Sequence, residues 1–116
     1  MTSVQFLTSD GHFIGFTAKG HTNYASVGKD IVCAGVSTLV QTTVLGLEQL
    51  VGLKLRLKQE KGSGYFSCLI LQETDQEKLC QANFILNLMY LGLQQIAGEY
   101  QKYVEISIKE VEKNEV

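Results

Sequence analysis

Apolar and polar positions alternate from Val4 to Thr8, the period of a half-buried strand, and Ser9-Asp10-Gly11 follows as a hairpin turn signal. Alternation resumes over His12–Lys19 and predicts a second strand with Ile14, Phe16 and Ala18 on one face. The polar segment from Gly20 to Lys29 has too little apolar content to be pinned by a core and reads as a mobile loop. Val32, Val36, Leu39, Val40, Thr43, Leu47 and Leu50 then recur at helical spacing, with Asp30 as N-cap (Gly28 and Lys29 being the other candidates) and Gly52 as the stop. Leu53, Leu55 and Leu57 alternate with Lys54, Arg56 and Lys58, which predicts an antiparallel strand with a solvated basic face. Gly62-Ser63-Gly64 turns it, and Tyr65–Leu71 pairs back.

A second helix is expected from Asp75 to Tyr100, with a bend or an end near Gly98. It carries one apolar stripe of Leu79, Ala82, Leu86, Met89, Leu93 and Ala97, and another of Cys80, Phe84, Leu88 and Leu91. At about 100° per residue the two stripes lie on nearly opposite sides. A helix that is apolar on two sides needs two partners. The sheet is one; the second is expected to be another copy of the chain, giving a homodimer, with cover by the first helix or a terminal segment as the competing reading. Tyr103–Val111 closes the chain as a strand with Val104, Ile106 and Ile108 inward, and the charged tail from Glu112 to Val116 is expected to fray. The order β-β-α-β-β-α-β predicts an α+β fold: a two-layer sandwich of a mostly antiparallel mixed sheet and two long helices, one domain over residues 1–116.

Composition narrows the function. The chain has 116 residues, 45% of them hydrophobic and 19% charged, an ordinary soluble balance. Net charge is −2 and the ten Lys and Arg are dispersed, so direct nucleic-acid binding is not expected. The N-terminus shows no basic segment followed by an apolar run, and no apolar stretch looks long enough to span a bilayer, so neither a secretory signal nor a membrane partner is expected. Three cysteines, an odd number without a C-x-x-C pair, suit a reducing cytoplasm. With only His12 and His21 as imidazoles, no metal site and no cofactor are expected.

The candidate chemistry lies at the two ends of the loop. Gly20-His21 closes the second strand, and Asp30-Ile31-Val32-Cys33-Ala34 opens the first helix, with Ser37 one turn later. Thiols at helix N-termini are favoured as thiolate, and an imidazole within reach can take the proton and return it to a leaving amine. A cysteine in an apolar helix is also, commonly, a small buried hydrophobe. Asp30 has two readings, a helix cap or the residue that orients His21. Ser37 either bonds its own helix backbone or contacts substrate. First-turn amides, including those near Cys33, are candidate oxyanion donors. Thr22, Asn23, Tyr24 and Gly28 are the loop residues placed to meet a substrate, and the loop is expected to close over it. Cys68 reads as a core residue of the fourth strand and is assigned no chemistry.

Gly20-His21, Gly28, Asp30-Ile31-Val32-Cys33-Ala34 and Ser37 together resemble the signature of the ribosomal-processing cysteine protease family Prp, and the likeness runs over essentially the whole chain. The resemblance implies a cysteine endopeptidase that removes the N-terminal extension of large-subunit ribosomal protein twenty-seven. It maps the nucleophile onto Cys33, the general base and acid onto His21, and supporting positions onto Asp30 and Ser37. The alternatives are a non-catalytic, ribosome-associated protein-binding module and a thiol enzyme of another kind. No resolving cysteine lies close in sequence to support redox exchange.

Overall fold

The computed structural model describes residues 1–26 and 30–112. The elements are β1 (Thr2–Ser9), β2 (His12–Lys19), α1 (Ile31–Leu45), β3 (Leu55–Glu60), β4 (Tyr65–Ile70), α2 (Gln76–Glu99) and β5 (Val104–Glu110). Among the described residues five strands form one sheet in the order β3-β4-β2-β1-β5. β1 runs parallel to β5, and the other neighbours are antiparallel. The α+β order read from the pattern is the one observed.

Register places the core on one face. Val4 pairs with Ala18, Phe6 with Phe16, and Phe16 with Cys68, and directly opposed residues share a face. Val32, Val36, Val40 and Val44 of α1 and Ala82, Leu86, Met89 and Leu93 of α2 bury against them. Each such Val, Leu or Met side chain contributes roughly 1.5–3 kcal/mol on full burial. The helices lie antiparallel and close: a Cβ on Gly92 of α2 would stand 3.1 Å from Leu39 Cδ1 of α1.

Three details differ from the sequence expectation. A bulge pairs Leu7 with Gly15 but Thr8 with Phe13, leaving Ile14 as the extra residue. The inward face of β2 is therefore Phe13, Phe16 and Ala18, and Phe13 packs on Phe6 and Tyr90 with ring centroids 5.2 and 5.8 Å apart. Ile14 instead lines a groove of about 700 Å³ with Lys54, Arg56, Leu69 and Leu71. Secondly, β3 and β5 are edge strands covered only in part: Leu55, Val104 and Ile106 pack against the core, whereas Leu57 (42% exposed) and Ile108 (50%) are not interior residues. Thirdly, α1 continues through a π-helical segment, Gly46–Val51, which keeps Leu47 and Val51 buried before Gly52 ends it in the left-handed region at φ 82°. The combined helix, Ile31–Val51, is 21 residues with mean hydropathy 1.5, long and apolar enough to cross a bilayer, contrary to the expectation of no such stretch. Here its valine stripe packs on the sheet.

The outer stripe of α2 stands uncovered by the described residues. Phe84 is 75% exposed, and Leu88 and Leu91 are also exposed, so α1 does not supply the second partner. The frayed tail expected beyond Glu112 lies outside the described residues.

Candidate active site

α1 begins at Ile31 because Asp30 holds an extended backbone (φ −85°, ψ 96°) and its Oδ1 accepts the Cys33 N–H at 2.8 Å. The other carboxylate oxygen reaches back to the loop. Oδ2 accepts a short hydrogen bond from Thr22 Oγ1, the Tyr24 N–H at 3.0 Å and the Ala25 N–H at 3.4 Å. Oδ1 thus takes one donor and Oδ2 is shared among three. Desolvation pushes the Asp30 carboxyl up, but the bonds from Thr22 and from the amides of Cys33, Ala25 and Tyr24 outweigh it and hold the group below its ordinary range. Asp30 is thus the helix cap and at the same time the clamp of the loop; its bonds in this structure go to Thr22, Tyr24, Ala25 and Cys33.

That clamp corrects the reading of the loop. Thr22 is 1% exposed, with its hydroxyl committed to Asp30, so its side chain is not a substrate contact. Residues 22–25 are tied to the start of α1 rather than unpinned. Asn23 is exposed in the left-handed region (φ 57°), which Asn tolerates better than most residues. Tyr24 is 41% exposed, and its ring stands edge-on to Tyr100 and Tyr103 at centroid distances of 5.4 and 5.2 Å. Gly28 lies outside the described residues.

His21 is exposed, and its partner is the β3–β4 turn rather than the thiol: Nε2 stands 3.3 Å from the Gly62 carbonyl. A carbonyl only accepts, so Nε2 is the donor in this arrangement. Gly64 makes room for the ring. It sits at φ 69°, and a Cβ there would lie 2.6 Å from Gly20 O and 3.1 Å from His21 Cε1.

Cys33 is partly exposed in the first turn of α1. The other thiols stand in different settings. Cys68 is buried in the sheet, where burial, assisted by the Glu48 charge, pushes its thiol up to about 12. Cys80 is exposed on α2. Ser37 is half-buried one turn after Cys33. The back-bonding considered for Ser37 is made by its neighbour, Thr38 Oγ1 donating to Ala34 O at 2.8 Å.

The first-turn amides are also redistributed. Cys33 N–H is spent on Asp30 Oδ1, and Ala34 N–H on Asp30 O at 3.0 Å. The Cys33 amide is therefore not a free oxyanion donor while the cap is formed, and Ile31 and Val32 carry the remaining amides of that turn. The groove beside Ile14 includes neither His21 nor Cys33.

Tyr100, Tyr103, Gly62 and Gly64 were not singled out from sequence as parts of this site. Tyr100 read only as a helix end, Tyr103 as a strand start, and the glycines as a turn. Their roles depend on which distant segments meet, and no local pattern encodes that.

A partly exposed thiol in the first turn of a helix, next to a loop that carries a histidine, is an arrangement compatible with thiol hydrolase chemistry. The sequence model of the family described as Cysteine protease Prp matches residues 1–105, and the chain belongs to that family. Ribosomal processing cysteine protease Prp of Bacillus subtilis (strain 168) is 29% identical over 98 residues, 84% of this chain and 88% of that protein. The protein of the same name from Staphylococcus aureus (strain Mu50) is 28% identical over 90 residues, 78% of this chain and 81% of its own. Among solved structures, S. aureus Prp with a covalently linked product peptide superposes with a TM-score of 0.83 at 25% identity, covering 94% of this chain and all (100%) of that one. The same protease with a substrate peptide gives 0.78 over the same shares. Family membership sets the non-catalytic module aside: the chain is a cysteine protease of a ribosomal-processing family.

Proposed function

We propose that this protease removes the N-terminal extension of large-subunit ribosomal protein twenty-seven, with Cys33 as nucleophile and His21 as general base and acid. The observation that carries the reading is the placement of Cys33: a partly exposed thiol in the first turn of α1, capped by an Asp30 that also clamps the loop beginning at His21. The relatives solved with peptides support a peptide substrate.

The chemistry follows from these atoms. The Cys33 thiolate adds to the scissile carbonyl while its proton resides on His21. The tetrahedral oxyanion draws on first-turn amides, each such donor being worth about 3 kcal/mol. His21 gives its proton to the departing amine, the C–N bond breaks, and a thioester remains. Water, deprotonated by His21, hydrolyses the thioester and restores the thiol. In this structure the imidazole rests on Gly62 O. Reaching the sulfur requires breaking one exposed hydrogen bond, and long catalytic distances before substrate binds are common. Ser37, half-buried one turn after Cys33, is the supporting residue of this reading, and the exposed Asn23 belongs to the loop that meets the substrate.

The reading further places the enzyme in the cytoplasm as a homodimer joined through the Phe84, Leu88 and Leu91 stripe, acting without cofactor, direct nucleic-acid contact or membrane. The test is incubation of the extended precursor with the wild type and with Cys33→Ala, read by mass spectrometry. Shortening by the first alone supports the assignment. Equal shortening by both removes Cys33 from the mechanism, and an untouched precursor rejects the substrate.

A further inference from the structure

Among the described residues, the loop that carries His21 has two further ties besides the Asp30 clamp and the contact of His21 with Gly62 O. Its base is tied to the N-terminus, where Thr2 Oγ1 donates to Gly20 O at 3.3 Å. Its middle is tied to the turn between α2 and β5, where the ring of Tyr24 stands at 84° to both Tyr100 and Tyr103. That turn is itself well braced. Tyr103 N–H and Val104 N–H both donate to Tyr100 O, at 2.9 and 3.2 Å, and Thr2 N–H donates to Tyr103 O at 2.9 Å. One residue, Thr2, therefore anchors both the base of the loop and the turn on which Tyr24 sits.

We propose that Tyr100 and Tyr103 are positioning residues of the protease: a two-ring seat for Tyr24 that keeps residues 22–25 strapped across the start of α1 and so holds His21 within swinging distance of Cys33. The inference rests on the assignment of Cys33 and His21 made above. Tyr24 contributes two things from one residue. Its ring enters the seat and its N–H binds Asp30 Oδ2, so lifting the ring pulls on the cap of Cys33 as well as on the segment after His21. The strap stays seated while His21 rotates between Gly62 O and the sulfur. Because the contact is ring edge against ring face, it needs the aromatic ring and not the hydroxyl.

The experiment compares wild type, the double variant Tyr100→Leu/Tyr103→Leu, the double variant Tyr100→Phe/Tyr103→Phe, and Tyr24→Leu, on the extended precursor. The expected result is a fall in kcat of about tenfold for the leucine pair, from loss of two aromatic contacts. The phenylalanine pair restores the wild-type rate. Tyr24→Leu, which leaves the α2–β5 turn intact, reproduces the fall, and combining it with the leucine pair adds little further. Hydrogen exchange at the Tyr24 and Ala25 amides speeds up in the leucine pair while the amides of β1 and β2 stay protected. A leucine pair with wild-type kcat, a phenylalanine pair as slow as the leucine pair, or unchanged exchange at Tyr24 and Ala25 each overturns the proposal. Cleavage by Cys33→Ala would instead overturn the assignment beneath it, so the two failures are distinguishable.

Discussion

Replacing Asp30 by Ala removes one carboxylate and four hydrogen bonds at once. Loss of an N-cap costs about 1 kcal/mol. The larger cost falls on Thr22, whose hydroxyl is 1% exposed and has Asp30 as its acceptor. Leaving such a buried donor unpaired costs roughly 1–3 kcal/mol. The Tyr24 and Ala25 amides lie in exposed residues and turn to water, so they add little. The total expected is about 2–4 kcal/mol, a fall in Tm of roughly 8–15 °C for a domain of this size. Urea titration followed by circular dichroism measures it. Asp30→Asn keeps an acceptor for the Cys33 N–H but turns an NH2 toward Thr22, so it falls between wild type and Asp30→Ala. Thr22→Val destabilises less than Asp30→Ala, and the double variant costs less than the two single costs combined, because the orphaned hydroxyl is then gone. The acid limb gives a second check. Asp30 titrates below its unfolded value, so its contribution is complete above the unfolded pKa of about 3.9 and fades as pH falls through the lower folded value. The gap between wild type and Asp30→Ala is therefore constant from pH 7 to 5 and narrows below about pH 4. A difference under about 0.5 kcal/mol at pH 7, the size of an ordinary surface substitution, or strict additivity of the two substitutions, refutes the account of Asp30 as a joint cap and clamp.

Gly64→Ala forces a Cβ to 2.6 Å from Gly20 O at a left-handed backbone, so it costs at least 1–2 kcal/mol in that backbone strain alone and displaces His21; thermal melts and the rate of precursor cleavage both fall. Iodoacetamide at pH 8 labels the exposed Cys80 and the partly exposed Cys33, whereas Cys68, buried with its thiol near 12, is modified only on unfolding; peptide mapping reads the pattern, and early labelling of Cys68 contradicts the core assignment. Phe84→Glu with Leu88→Glu leaves the fold of the single chain intact, since both side chains are exposed, but converts a dimer to a monomer in sedimentation; a wild type that is already monomeric removes the dimer from the proposal.

Much of the site was legible because its signals are local. The strand and helix periods lie within short windows, and Asp30 announces a helix start three residues before the thiol it caps. Gly52 marks the helix end through a left-handed conformation that glycine adopts without penalty. The α2 stripes separated cleanly, Leu86 and Met89 inward and Phe84 and Leu88 outward, because helical geometry alone assigns opposite faces. The bulge at Ile14 escaped the pattern, since one inserted residue reverses the facing of what precedes it without changing composition. Leu57 and Ile108 misled for a related reason: alternation tells which face a side chain takes, but a strand's place in the sheet tells whether that face is covered.

By itself, then, the chain determined its elements, their caps and the position of a thiol at the mouth of α1, all matters settled between residues a few positions apart. Tertiary structure alone decided that β3 and β5 are edges, that Asp30 spends its second oxygen on Thr22, Tyr24 and Ala25, that His21 rests on Gly62, and that Tyr24 sits between Tyr100 and Tyr103. Those contacts join segments that meet only once the sheet order has brought the ends of β1, β2, β4 and α2 together, and hydrogen bonds and ring contacts have no reach beyond such a meeting.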